Sequence, residues 1–116
     1  MIGESSRPEV TAREAIDALA AGSYVLDVRE QHEWDDAHAP GATLIPLSEL
    51  TERVAEVPTD RTVLVVCHSG MRSARATDAL RGIGVDARNV AGGMLGWRDA
   101  GGTVVSGDDD EGRPTD

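Results

Sequence analysis

"RTVLVVCHSGMRSARATDALRGIG", residues 61–84, decides how the rest of the chain reads. Thr62 to Val66 form a continuous, mostly β-branched run with no polar alternation. A strand of that kind is buried on both faces, which usually puts it at the centre of a parallel sheet. Arg72 to Arg81 read as a helix that ends at Gly82 or Gly84. Between them lie Cys67, the only cysteine of the chain, and a short loop in which Gly70 lets the backbone turn. In open α/β sheets ligands sit beyond the carboxyl ends of the strands. The one thiol therefore stands at the position such folds reserve for binding and chemistry.

The same alternation continues in both directions. Towards the N-terminus, Thr11 with Glu14 three residues on is a capping box. Ile16 and Leu19 follow on one face, and Gly22 closes the helix. Residues 24–28 (YVLDV) read as a buried strand, Glu30–Asp35 as a short helix, Pro40-Gly41 as a turn and 43–45 as a short strand. After Pro46, Leu47, Leu50 and Val54 recur at helical spacing. Towards the C-terminus, 87–90 (ARNV) is a further short strand, and GGMLGWRDAGG is a glycine-bounded helical turn that carries Trp97. Strands alternating with helices imply an α/β layer fold with a parallel sheet. The last stretch, SGDDDEGRPTD, has no apolar residue and reads as a charged, disordered tail.

Bulk composition narrows the function. At 116 residues one domain is expected, and only 3% of residues are aromatic, so the core must be Val, Leu, Ile and Ala. A single cysteine excludes an internal disulfide framework, a CxxC redox pair and a cysteine-only zinc site. It suits a reducing compartment, and no stretch reaches signal-peptide or membrane-spanning length. A cytoplasmic protein without a membrane partner is expected. The net charge of −10 argues against nucleic acid as a ligand. All eleven basic residues are Arg, a pattern that fits either biased codon usage or adaptation to high salt.

The loop after Cys67 runs into a helix N-terminus, so several backbone N–H groups and the helix dipole converge on one spot. An anion or a thiolate would be held there. A free thiol titrates near ~8.5 and is only about 3% thiolate at neutral pH. Two or three charge-assisted hydrogen bonds, at ~1.5–3 kcal/mol each before desolvation is subtracted, can favour the charged form. Cysteines at helix N-termini do show depressed values. Arg72 and Arg75 add local positive charge that distant acidic residues, beyond a Debye length of ~8 Å, do not cancel. The plain alternative is a buried cysteine that fills space at a strand end.

Four segments, in order, resemble the rhodanese-like sulfurtransferases: VLDVRE (25–30), HAPGATLIPLSEL (38–50), CHSGMRSA (67–74) and NVAGGMLGW (89–97). The resemblance covers roughly residues 8–105. It implies a rhodanese-like domain over 5–105 and an acidic flexible tail over 106–116. The implied architecture is a central, mainly parallel five-stranded sheet flanked by helices on both faces. It further implies that Cys67 is a nucleophile that becomes a persulfide, with the loop residues His68, Ser69, Gly70, Met71, Arg72 and Ser73 forming the substrate cradle. Arg72 would help to bind an anionic donor such as thiosulfate. Asp27 and Arg29 would brace the site, and His38 would have a structural role. No cofactor and no metal are implied. Partners would be a small sulfur donor and, in a relay role, a protein donor or acceptor. Two departures stand out: Ala39 after the histidine, where Ile or Val is commoner, and Ala91 before the glycine pair, where Glu is commoner.

Two rival functions need weighing. Cysteine phosphatases and arsenate reductases use C-x5-R, whereas Arg72 makes this loop C-x4-R and Ser73 stands where that arginine would be. The shorter loop suits one sulfur better than a phosphate tetrahedron. A persulfide relay that docks on a sulfur-trafficking partner needs the same loop, so the residues do not separate it from thiosulfate sulfurtransfer. An inert regulatory domain would typically lack the cysteine. With no second thiol, any acceptor for the sulfur must come from outside. His68 could tune the thiolate or simply contribute its N–H. HEWDDAH (32–38) spaces its histidines six apart, which does not match the HExxH metal pattern. Trp34 and Trp97 read as packing residues. Asp27, polar within an apolar strand, needs a partner: either loop N–H groups or a nearby arginine.

Overall fold

The computed structural model describes residues 8–107. In chain order they form β1 (Glu9–Val10), α1 (Ala12–Ala20), β2 (Tyr24–Asp27), α2 (Gln31–Asp36) and β3 (Thr43–Leu44). Then follow α3 (Leu50–Arg53), β4 (Val63–Val66), α4 (Met71–Gly82), β5 (Ala87–Val90) and α5 (Gly93–Asp99). The five strands make one sheet in the order β1-β5-β4-β2-β3, and every pairing is parallel. The apolar run Val63–Val66 is thus the middle strand, and all four of its residues are buried. Among the described residues no helix is long and apolar enough to cross a membrane. The tail from residue 108 onward, and the domain's expected start at residue 5, lie outside the described residues.

Side-chain alternation splits the core into two clusters, one on each face of the sheet. Val63, Val65 and Cys67 pack with Leu26, Val28 and Ile45 against Leu50 of α3 and Ala76 and Leu80 of α4. Leu64, Val66 and Val25 pack on the other face against Ala15 of α1 and Met94 and Trp97 of α5. Each fully buried aliphatic side chain contributes about 1.5–3 kcal/mol. Cys67 therefore faces α4 because it continues the odd-numbered positions of β4.

The capping box forms, with the Glu14 N–H donating to Thr11 Oγ1 at 3.0 Å and the Thr11 N–H to Glu14 Oε1 at 2.8 Å. Two elements differ from the sequence reading. The stretch after Pro46 breaks into a 3-10 turn (Leu47–Glu49), the single α-turn α3 and a second 3-10 turn (Val54–Glu56). The residue pattern yields four strands and misses β1, a two-residue edge strand aligned to β5 at Glu9–Asn89 and Val10–Val90. Two residues carry no readable period.

Candidate active site

Cys67 follows the last residue of β4 and is 1% exposed. Its Sγ accepts from the Gly70 N–H at 3.2 Å, the Ser73 N–H at 3.3 Å and the Ser73 hydroxyl at 3.3 Å. The sulfur satisfies donors that any helix leaves open in its first turn, since Gly70 caps α4 and Ser73 lies within that turn. Burial pushes the Cys67 thiol up, but the Ser73 hydroxyl and the N–H groups of Ser73, Gly70 and Ser69 outweigh it, so the thiol titrates below its ordinary value.

Glycines make the loop possible. Gly70 has φ +109°, the left-handed region that side chains rarely adopt. Gly93, at φ +56°, is forced by contact as well: a Cβ there would lie 2.3 Å from the Cys67 carbonyl oxygen. That closeness lets the start of α5 hold the loop from behind, with the Met94 N–H donating to Cys67 O at 2.7 Å and the Leu95 N–H to His68 O at 3.1 Å. The glycine pair of the sequence motif is therefore part of a backbone clamp on the Cys67 peptide.

The remaining loop residues divide. His68 and Ser69 are exposed, and Met71 is 75% exposed at the start of α4. Ser73 is fully buried, and its hydroxyl also lies 2.5 Å from Asn89 Oδ1. Asn89 in turn donates from Nδ2 to Gly70 O at 3.3 Å, which fixes its amide orientation. The Ser73 hydroxyl has one hydrogen and two acceptors, Sγ and Asn89 Oδ1, and serves one at a time. The Arg72 guanidinium is gripped from both sides by Glu33, with Nη1–Oε1 and Nη2–Oε2 both at 2.8 Å. That hydrogen-bonded arginine holds the Glu33 carboxyl down at about 2, so it stays ionised at neutral pH.

Asp27 and Arg29 resolve into a buried pair. Arg29 donates from Nε to Asp27 Oδ1 at 3.0 Å and from Nη2 to Oδ2 at 2.9 Å, and its N–H also reaches Oδ1 at 3.0 Å. Nη2 goes on to Ala37 O at 2.7 Å. Of the two partners expected for Asp27, it takes the arginine. His38 is fully buried and donates from Nδ1 to Trp34 O at 2.8 Å, while its ring stacks on Trp34 with centroids 3.7 Å apart. His38 thus anchors α2, the helix that carries Glu33. Trp97 is a core residue, 2% exposed. The sequence reading missed Glu33 and Asn89. Asn89 carried the same signal as Asp27, a polar residue inside a short apolar strand; nothing local linked Glu33 to Arg72.

Residues 11–100 match the rhodanese-like domain family. The chain is 41% identical over 93 residues to the probable adenylyltransferase/sulfurtransferase MoeZ of Mycobacterium tuberculosis, a match over 76% of this chain and 24% of that protein. It thus spans about a quarter of that relative's length. It is 36% identical over 76 residues to the thiosulfate sulfurtransferase PspE of Escherichia coli, covering 64% of this chain and 73% of that protein. A crystal structure of a rhodanese-related protein from Thermoplasma volcanium superposes with a TM-score of 0.79 at 33% identity, over 86% of this chain and 98% of the other.

Proposed function

The chain belongs to the rhodanese-like family, and from that premise we propose that it transfers sulfane sulfur through a persulfide on Cys67. The supporting observation is the cradle: one sulfur accepts from Gly70, Ser73 and the Ser73 hydroxyl at 3.2–3.3 Å. Such a cradle stabilises a thiolate without a general base and can hold a second anionic sulfur in its place.

In the first half-reaction the Cys67 thiolate attacks the sulfane sulfur of a donor. With thiosulfate, the new Sγ–S bond forms as the S–S bond to the sulfonate breaks, and sulfite leaves with the electron pair. In the second, an external thiophile such as cyanide or a thiol attacks the outer sulfur, and Cys67 departs as thiolate. The order is ping-pong. Arg72, Met71, His68 and Ser69 rim the sulfur on the donor side in this reading. Asp27, Arg29 and His38 act only by supporting the elements around it.

Intact mass after incubation with a sulfane donor tests this. One added sulfur on the native chain and none on Cys67→Ala is the expected result; no adduct from any donor ends the reading. A relay role is the second reading, favoured by similarity to a relative whose name joins adenylyltransferase to sulfurtransferase. A protein persulfide that loads Cys67 orders of magnitude faster than thiosulfate would select it. Turnover of an aryl phosphate, with no sulfur transfer, would instead return the phosphatase assignment.

A further inference from the structure

Arg72 is the cation that the loop itself offers to an incoming donor, and Glu33 occupies it. Nη1 and Nη2 each donate to one carboxylate oxygen at 2.8 Å, in the bidentate arrangement that is strongest for this pair. The partners are half-buried, with side-chain exposures of 34% for Arg72 and 23% for Glu33, so bulk water screens them only in part. Arg72 also feels the charges of Cys67 and Glu30. Arg72 therefore answers to Glu33, Glu30 and Cys67 together, and the charge of Arg29 also reaches Glu33. The neighbouring arginines offer no second guanidinium for a donor to grip. Arg29 is spent on Asp27 and Ala37. Arg75 lines a separate cleft on the β1 side with Glu9, Asp78 and Asn89.

We infer that Glu33 is a specificity-determining residue that turns the site away from small dianionic donors such as thiosulfate and towards organic persulfides of low charge. This rests on the reading that Cys67 carries the sulfur. Thiosulfate brings two negative charges to a thiolate, and its sulfonate needs the guanidinium that Glu33 already holds. Displacing Glu33 would leave its carboxylate unpaired beside a dianion. Cysteine persulfide avoids that conflict: the Cys67 thiolate attacks the terminal sulfur, the new Sγ–S bond forms as the donor's S–S bond breaks, and cysteine leaves as its thiolate with the electron pair. The terminal proton stays on the transferred sulfur. The one carboxylate of cysteine persulfide is balanced by its own ammonium group and lies away from the sulfur that is transferred, so this donor does not depend on the Arg72 guanidinium as a dianion does.

The experiment measures the second-order rate of Cys67 persulfidation, by intact mass, with thiosulfate and with cysteine persulfide. Glu33→Gln removes the charge but keeps an oxygen for the Glu30 N–H, which Glu33 Oε1 accepts at 2.9 Å. Glu33→Ala removes both and is the second variant. Each is expected to raise the ratio of thiosulfate rate to cysteine-persulfide rate by about tenfold, the scale of one charge-assisted hydrogen bond that the released guanidinium can make to the sulfonate. In an Arg72→Ala background the same Glu33 changes should move the ratio by less than about twofold, because no guanidinium is left to release. An unmoved ratio in both variants overturns the inference, as does an equal rise without Arg72. Loading by cysteine persulfide alongside an unmoved ratio sinks this inference alone. Absence of added sulfur from either donor in every variant sinks the sulfur-carrying reading and takes this one with it.

Discussion

The carboxyl ends of β2 and β4 lie side by side, in register at Asp27 and Val66, yet they are braced in opposite ways. At the end of β2 a carboxylate and a guanidinium two residues apart close on each other and are almost wholly buried, at 0% and 6% side-chain exposure. At the end of β4 the brace is backbone: N–H groups on the sulfur in front and N–H groups of α5 on the Cys67 and His68 carbonyls behind. The contrast has a chemical reason. Full charges compensate each other and make a stiff, inert post. Amide dipoles lend partial positive charge without a proton to lose, and so can stabilise an anionic sulfur, as the proposed persulfide chemistry requires.

The largest effect should come from breaking the post. Arg29→Ala leaves Asp27 buried and unpaired and is expected to cost about 3–5 kcal/mol in urea unfolding. A loss under about 1 kcal/mol would mean that the pair is not the brace described here. Next comes the backbone clamp. Gly93→Ala brings a Cβ within 2.3 Å of Cys67 O and should cost about 2 kcal/mol or more, with slower alkylation of Cys67. Wild-type alkylation kinetics in this variant would show that α5 does not hold the loop.

The cradle itself can then be probed in both directions. Ser73→Ala removes a donor to Sγ, so the thiol should titrate higher and react about three- to tenfold more slowly with iodoacetamide at neutral pH. Asn89→Ala should do the opposite, because the Ser73 hydrogen no longer has Asn89 Oδ1 as a competing acceptor at 2.5 Å. In a Ser73→Ala background the Asn89 change should leave the pH profile alone. A slower thiol in Asn89→Ala would instead assign Asn89 the simple task of holding Gly70.

The smallest effect is a pH dependence. The Glu33 carboxyl is depressed in the fold, from an ordinary 4.5 to about 2, chiefly by Arg72. A group lowered in this way adds stability that is fully present above its unfolded value and is lost as pH falls through the folded one. The stability difference between the native chain and Glu33→Gln should therefore shrink between about pH 4.5 and about pH 2 and stay constant above. A difference that persists at the acid end would detach the effect from this carboxyl.

Much of this is legible in the sequence. The strand–loop–helix around Cys67, the Thr11 capping box and the α/β alternation rest on neighbours in the chain, and local pattern reports local neighbours. The Asp27–Arg29 pair was half legible: burial of Asp27 demanded a partner, and two were open. The broken helix after Pro46 was read too regularly, because apolar spacing at Leu47, Leu50 and Val54 does not distinguish an α-helix from successive 3-10 and α turns. Strand β1 was illegible, since two residues acquire strand character only by pairing with β5.

Chain-local physics was enough to say where the thiol stands and why amide hydrogens surround it, since the loop and the helix it caps are contiguous in sequence. It could not say what that thiol's surroundings would accept. Glu33 meets Arg72 across 39 residues, and Asn89 meets Ser73 across 16. Those meetings exist only once the sheet has closed and α2 has docked through His38 and Trp34. Charge compensation and the allocation of a single hydroxyl hydrogen depend on distances of a few ångströms, and only folding sets those.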